Sequence, residues 1–165
     1  MPKSQFISPE EIRKSGTLSF QDIDLNKYNK TIEEEKANFS NDDFMRIYRD
    51  MAYIREFESM LYLIKTTSEY NGVAYNNPGP AHLSMGQEAS AVGQAYHLGI
   101  DDFIFGSHRS HGEIIAKGLS AIAKLSDEEL VKIMEDFNGG KNYEIVKKFT
   151  TGKTTKDIAK DFFIY

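Results

Sequence analysis

The sequence contains no cysteine in 165 residues. That excludes disulfides, thiolate nucleophiles and thiolate metal sites, and it fits a reducing cytoplasm. No apolar stretch is long enough to span a bilayer, so no membrane role is expected. The opening residues, Met1-Pro2-Lys3-Ser4-Gln5, lead into no apolar run of the kind a secretory signal needs. Lysine and arginine are scattered rather than gathered in a stripe. With a formal net charge of -5, no nucleic-acid footprint is expected. No internal repeat or low-complexity tract is visible. What remains is 40% hydrophobic and 27% charged, the balance of a soluble globular chain with one sizeable core or part of a larger one.

Residues 1–40 are polar and weakly periodic and read as an N-terminal extension. Ser8-Pro9-Glu10-Glu11 has the marks of a short helix start, and Gly16 of its stop. Leu18 and Phe20 suggest a short extended piece. Residues 27–38 look like a solvated connection. A stronger helix is predicted from Ser40, whose spacing to Asp43 resembles a capping box. Phe44, Ile47, Tyr48, Met51, Ile54, Leu61 and Ile64 recur at helical intervals, and Asn71-Gly72 marks the stop. Met45, Met51, Met60 and Met134 read as core.

Asn76-Asn77-Pro78-Gly79-Pro80 is loop chemistry. Ser84-x-x-Gln87 predicts the start of a second helix, whose small residues (Ala89, Ser90, Ala91, Gly93, Ala95) suggest burial. Asp102 to Gly106 is short and apolar, consistent with a buried strand. Ser110-x-x-Glu113 and Ser126-x-x-Glu129 predict two further helix starts. The first helix would close at Gly118. The second would carry Leu130, Ile133, Met134 and Phe137 on one face and end at Gly139-Gly140. Residues 143–149 and 156–165 are read as two short helices. The aromatic run Phe162-Phe163-Ile164-Tyr165 has no stop signal, which leads us to expect that the chain continues or is truncated there.

Two constellations could carry chemistry. In Gly106-Ser107-His108-Arg109-Ser110-His111-Gly112-Glu113 a strand would run through a loop into a helix start. Unpaired helix amides, the positive end of the helix dipole and the planar donor fork of Arg109 would converge on an anion, with Ser107 and His108 adding donors. The plainer alternative is that Arg109 pairs with an acid. His82, in the proline-rich loop, is either a proton donor or substrate-orienting group, or a histidine packed against Pro80. His111 is read as holding its loop through backbone hydrogen bonds. His97 receives no role. His108 and His111 lack the further ligands a metal site needs, so no metal site is assigned.

The run His82-Leu83-Ser84-Met85-Gly86-Gln87-Glu88-Ala89, followed by Val92-Gly93, Asp101 to Phe105, Arg109-Ser110-His111-Gly112 and Ala116-Lys117-Gly118, resembles the alpha subunit of the first component of 2-oxo-acid dehydrogenases and acetoin dehydrogenases. Met51 to Glu58 is similar to that family's opening helix. The likeness covers about residues 44–120, with the motifs in the family's order and at its separations. The resemblance implies an α/β thiamine-diphosphate-binding fold, of which residues 41–165 form an incomplete domain with 121–160 as a helical insertion. By itself this portion is expected to be mainly α, with at most one or two short strands.

The resemblance further implies decarboxylation of a 2-oxo acid, or cleavage of acetoin, by the thiamine ylide, with the acyl group passed to lipoamide on a lipoyl-bearing acyltransferase. The cofactor would be thiamine diphosphate with magnesium. His82 matches the histidine that faces substrate and cofactor. Arg109 and the residue before it, His108, match the diphosphate contacts, and Ser107 lies nearby. Two departures stand out. Position 108 is commonly tyrosine in the family, and its Gly-Asp-Gly metal motif occurs nowhere in this sequence. A beta subunit or region and a downstream alpha region are therefore the expected partners, and the chain alone is expected to be inactive and self-associating. A helical interaction scaffold, or a regulator that binds phosphate at the Arg109 corner, are the alternatives.

Overall fold

The computed structural model describes residues 8–164, apart from positions 18, 24, 26 and 77. The chain divides into two units, Met1–Glu35 and Lys36–Tyr165.

The first unit contains α1 (Pro9–Ile12) and α2 (Ile32–Glu35). Proline at the first position and two acids in the first turn favour α1, although the Ser8 side chain makes no capping bond. Of the extended piece expected at 18–20, Leu18 lies outside the described residues and Phe20 is irregular and exposed. The expected solvated connection at 27–38 contains α2 instead. Thr31 and Glu34 cap that turn reciprocally: the Thr31 amide donates to Glu34 Oε2 at 2.7 Å and the Glu34 amide to Thr31 Oγ1 at 3.4 Å.

The second unit opens with α3 (Asn41–Thr67). Its capping box forms as read: the Asp43 amide donates to Ser40 Oγ at 3.2 Å, and the Ser40 amide to Asp43 Oδ2 at 2.9 Å. The helix ends at Thr67 rather than at about residue 69 as its sequence suggests, with Ser68 in the left-handed region. Asn71-Gly72, read as its stop, is instead the turn of a small hairpin, β1 (Glu69–Tyr70) against β2 (Val73–Ala74), with Tyr70 opposite Val73. Both turn residues have positive φ, 50° and 78°, the geometry for which Asn-Gly is favoured.

Helices α4 (Glu88–Ala95) and α5 (His111–Lys124) pack on α3. Their core is Ile54, Ala91, Val92, Ala95, Ile115, Ala116 and Leu119, with Ile47, Met51 and Phe57 against it. The small residues of α4 do admit its neighbours, but on one face only, because Ala89, Ser90 and Gly93 are exposed. Carbonyls at the C-terminal end of α4 are met by cations from other helices. Arg46 donates to the Tyr96 carbonyl at 3.3 Å, and Lys124 to those of Tyr96 and Leu98 at 3.0 and 2.6 Å.

A second core joins α5 to α6 (Asp127–Asp136) and α8 (Thr155–Ile164) through Ile122, Leu130, Met134 and Ala159, with Tyr143 of α7 (Lys141–Lys147) packed against it. The Ser126–Glu129 box forms, but Ile133 and Phe137 are exposed, so the apolar face is narrower than read. Met45 is likewise exposed rather than core. A 3-10 turn at Phe137–Gly140 ends α6.

Three local expectations fail because other partners, two of them tertiary and one local, take the groups concerned. Ser84 does not start α4, because its amide and hydroxyl are taken by other segments, and α4 starts at Glu88. The Ser110 hydroxyl donates to the Ser107 carbonyl rather than capping α5. Gly118 does not close α5. The helix continues to Lys124, and Gly118 lies under the Phe163 ring, where a Cβ would have no room. The buried strand at 102–106 is an irregular segment, with Phe103 and Phe105 89% and 99% exposed. A strand needs a ladder partner, and among the described residues this segment has none. The described residues are thus mainly α with one two-stranded sheet, as expected.

Candidate active site

Glu58 anchors the site from below. It lies one helical turn after Ile54 on the inward face of α3, and both are 0% exposed. A carboxylate that deep requires hydrogen-bond donors. It receives two, from different segments. The Ser84 amide donates to Oε2 at 2.8 Å, and His111 Nδ1 stands 3.0 Å from Oε1. With Glu58 as a carboxylate its oxygen accepts, and Nδ1 is the donor of this pair. The His111 ring also meets Phe57 edge-on, with centroids 5.9 Å apart.

Ser84 passes the linkage on. Its hydroxyl donates to the Arg109 carbonyl and accepts the Gly112 amide at 3.3 Å. Gly112 is the second residue of α5, so the serine occupies one of the helix amides that have no partner within the helix. A second buried carboxylate fixes the end of the same loop. Glu88 Oε1 accepts from Arg55 Nε at 2.7 Å and from the Gly86 amide at 2.9 Å. The Arg55 guanidinium, aided by the Gly86 amide, holds the Glu88 carboxyl down at about 2.

Above this base lie the residues singled out by sequence. His82 and His108 come together from separate loops, their rings edge to face with centroids 4.7 Å apart. Ser107 lies beneath Arg109, accepting the Arg109 amide on Oγ at 3.1 Å, so the loop is a formed turn. Ser107, His108 and Arg109 are all exposed. Among the described residues no carboxylate pairs with the Arg109 guanidinium. His111 holds its loop as expected, but through the Glu58 carboxylate rather than through backbone. His97 stacks edge-on against Tyr96, away from this group.

The exposed donors of Arg109 and the two imidazoles can hold an anionic group and move a proton beside it. The described residues contain no cluster of three or more potential metal ligands. No helix among them is long and apolar enough to cross a membrane.

Sequence reasoning missed Glu58, Ser84 and Glu88 as the base of the site. Glu58 left a trace: an acid four residues after Ile54, on the stripe that holds the helix to the core. Ser84 left a misleading one, because its spacing to Gln87 imitates a helix cap.

Known proteins match parts of this chain in sequence. The family model of the dehydrogenase E1 component matches residues 59–158. The alpha subunit of acetoin:2,6-dichlorophenolindophenol oxidoreductase from Cupriavidus necator is 36% identical over 83 residues, 50% of this chain and 23% of that protein. The pyruvate dehydrogenase E1 component subunit alpha of Rhizobium meliloti is 35% identical over 85 residues, covering 52% and 22%. Its mitochondrial counterpart in Saccharomyces cerevisiae is 30% identical over 127 residues, covering 73% and 27%. The chain thus spans about a quarter of the length of these relatives. No solved structure matches it. A family match over more than half of its length places this chain in the dehydrogenase E1 component family.

Proposed function

We propose that this chain supplies one wall of a thiamine-diphosphate site in an enzyme that decarboxylates a 2-oxo acid, or cleaves acetoin, and transfers the acyl group to lipoamide on a lipoyl-bearing acyltransferase. The observation that carries this reading is the exposed, acid-free Arg109 guanidinium beside His108, with His82 brought against His108 from a separate loop. Arg109 and His108 bind the diphosphate, and Ser107 keeps the Arg109 backbone in its turn. His82 is the catalytic residue of this wall, orienting substrate and holding a proton near the reacting carbon. When bound, the cofactor supplies the carbanion sink, while the protein contributes binding and orientation.

The donor set fits the diphosphate of the cofactor better than its metal. No Gly-Asp-Gly occurs in the sequence, so magnesium is held by residues from a further alpha region. A beta subunit or region supplies the glutamate that activates the aminopyrimidine. On this reading the chain alone is inactive and works in the cytoplasm as part of an oligomer, with residues 1–40 as an extension and 121–160 as a helical insertion in the domain that begins at residue 41.

The test is calorimetric titration of thiamine diphosphate with magnesium into the chain, alone and assembled with a beta region and the rest of an alpha region. Binding only in the assembled form, weakened at least tenfold by Arg109→Ala, is expected. No binding in either form would overturn the reading in favour of a helical scaffold. Binding of inorganic phosphate but not thiamine diphosphate would favour a phosphate-dependent regulator.

A further inference from the structure

We infer that Glu58 is a positioning residue that sets the separation between the His82 loop and the Arg109 helix start; this rests on the site reading above. Three segments far apart in sequence meet on one carboxylate. Oε2 accepts the Ser84 amide, two residues after His82, and Oε1 accepts His111 Nδ1, two residues after Arg109. Ser84 then closes the loop of contacts through the Arg109 carbonyl and the Gly112 amide. Glu58 and Ser84 are 0% and 1% exposed, so water cannot replace either partner without opening the fold. Glu58 touches neither His82 nor Arg109 in the described contacts. It acts through the backbone of one loop and the imidazole of the other.

The pair also fixes chemistry. The Glu58 carboxylate keeps the proton on His111 Nδ1 and leaves Nε2 as the nitrogen free to accept. The imidazole is 34% exposed. Loss of the carboxylate would change both the loop spacing and the His111 tautomer.

Glu58→Gln keeps the shape and separates these effects from simple packing. Its amide oxygen can still accept from Ser84, which leaves the amide NH2 facing His111 Nδ1. Imidazole nitrogen NMR of His111 should then show a shift from the Nδ1–H to the Nε2–H tautomer. Amide exchange at Ser84 and Gly112 should rise at least tenfold, and the His82–His108 proton cross-relaxation should weaken. In the assembled enzyme, affinity for thiamine diphosphate with magnesium should fall about tenfold, as expected when a hydrogen bond to a charged group is lost.

An unchanged His111 tautomer together with unchanged Ser84 and Gly112 exchange would overturn the inference. If Glu58→Gln does not fold, Ser84→Ala decides: it should keep the His111 tautomer yet loosen Gly112 and weaken the cofactor. Unaltered Gly112 exchange and cofactor affinity would then sink the idea. Should the wild-type assembly bind no thiamine diphosphate, the proposed function fails. The tautomer and exchange readouts would still decide the positioning role on their own.

Discussion

The hydroxyl of Tyr96 donates to Asp43 Oδ1 at 2.5 Å across 53 residues of sequence. The other oxygen of the same carboxylate closes the Ser40 capping box, accepting the Ser40 amide at 2.9 Å and hydroxyl at 2.6 Å. One side chain therefore both starts α3 and ties it to the end of α4. The Ser40 hydroxyl, then Tyr96 and the Ser40 amide, hold Asp43 down at about 2. Tyr96→Phe should remove the tertiary half of this arrangement and leave the cap. A loss of about 1 kcal/mol in urea unfolding is expected, the net worth of one hydrogen bond. The Asp43 titration, followed by carboxyl NMR, should move upward at the same time. An unmoved titration would show that the two oxygens are independent.

Acid should unfold this chain in a defined window. Asp43 and Glu88 both have folded values of about 2, below their ordinary values of 3.8 and 4.5. Carboxyls lowered by folding stabilise fully above their unfolded values, and that stability is lost as pH falls through the folded ones. The decline should therefore run from about pH 4.5 towards pH 2. Asp50 works the other way. Burial raises it, so its contribution favours the fold at low pH and fades as pH rises. Glu88→Gln should flatten the acid slope and cost about 1 kcal/mol at pH 7, a modest figure because its Arg55 partner is half exposed. A slope that stays as steep in chemical denaturation from pH 7 to 3 would show that Glu88 is not a source of it.

Arg109→Ala should weaken cofactor binding without weakening the fold. Its guanidinium has no acidic partner among the described residues, so the change in unfolding free energy should stay within about 0.5 kcal/mol. A large loss of thermal stability would indicate that the side chain supports the loop rather than a ligand.

Phe103 and Phe105 are almost fully exposed on neighbouring positions of one segment. Apolar surface of this kind drives association unless another chain or region covers it. The chain should sediment as self-associated species, and the double change Phe103→Ser, Phe105→Ser should move it towards monomer. A clean wild-type monomer at micromolar concentration would contradict this.

Leu119 is 1% exposed at the centre of the core formed by α3, α4 and α5. Leu119→Ala should cost about 2–4 kcal/mol. Equilibrium unfolding monitored by far-ultraviolet circular dichroism would measure it.

Helix positions and types were legible from sequence wherever local forces agree with the fold. The Ser40–Asp43 and Ser126–Glu129 boxes form as their spacing indicates, because their partners lie within one turn and the side chains face solvent. The motif order that carries the family resemblance was also legible. Tertiary structure decided everything that depends on a distant partner. Ser84 reads as a cap but binds Glu58 and the α5 start instead, and Gly118 reads as a stop but makes room for Phe163. Residues 102–106 read as a strand but find no ladder partner among the described residues. His111 reads as a backbone tether but finds a carboxylate 53 positions earlier. Capping and periodicity are set within a few residues of chain, so a sequence contains them wherever no other partner competes. A buried carboxylate's partners are set by which segments the core brings together, and that is known only once the chain has folded.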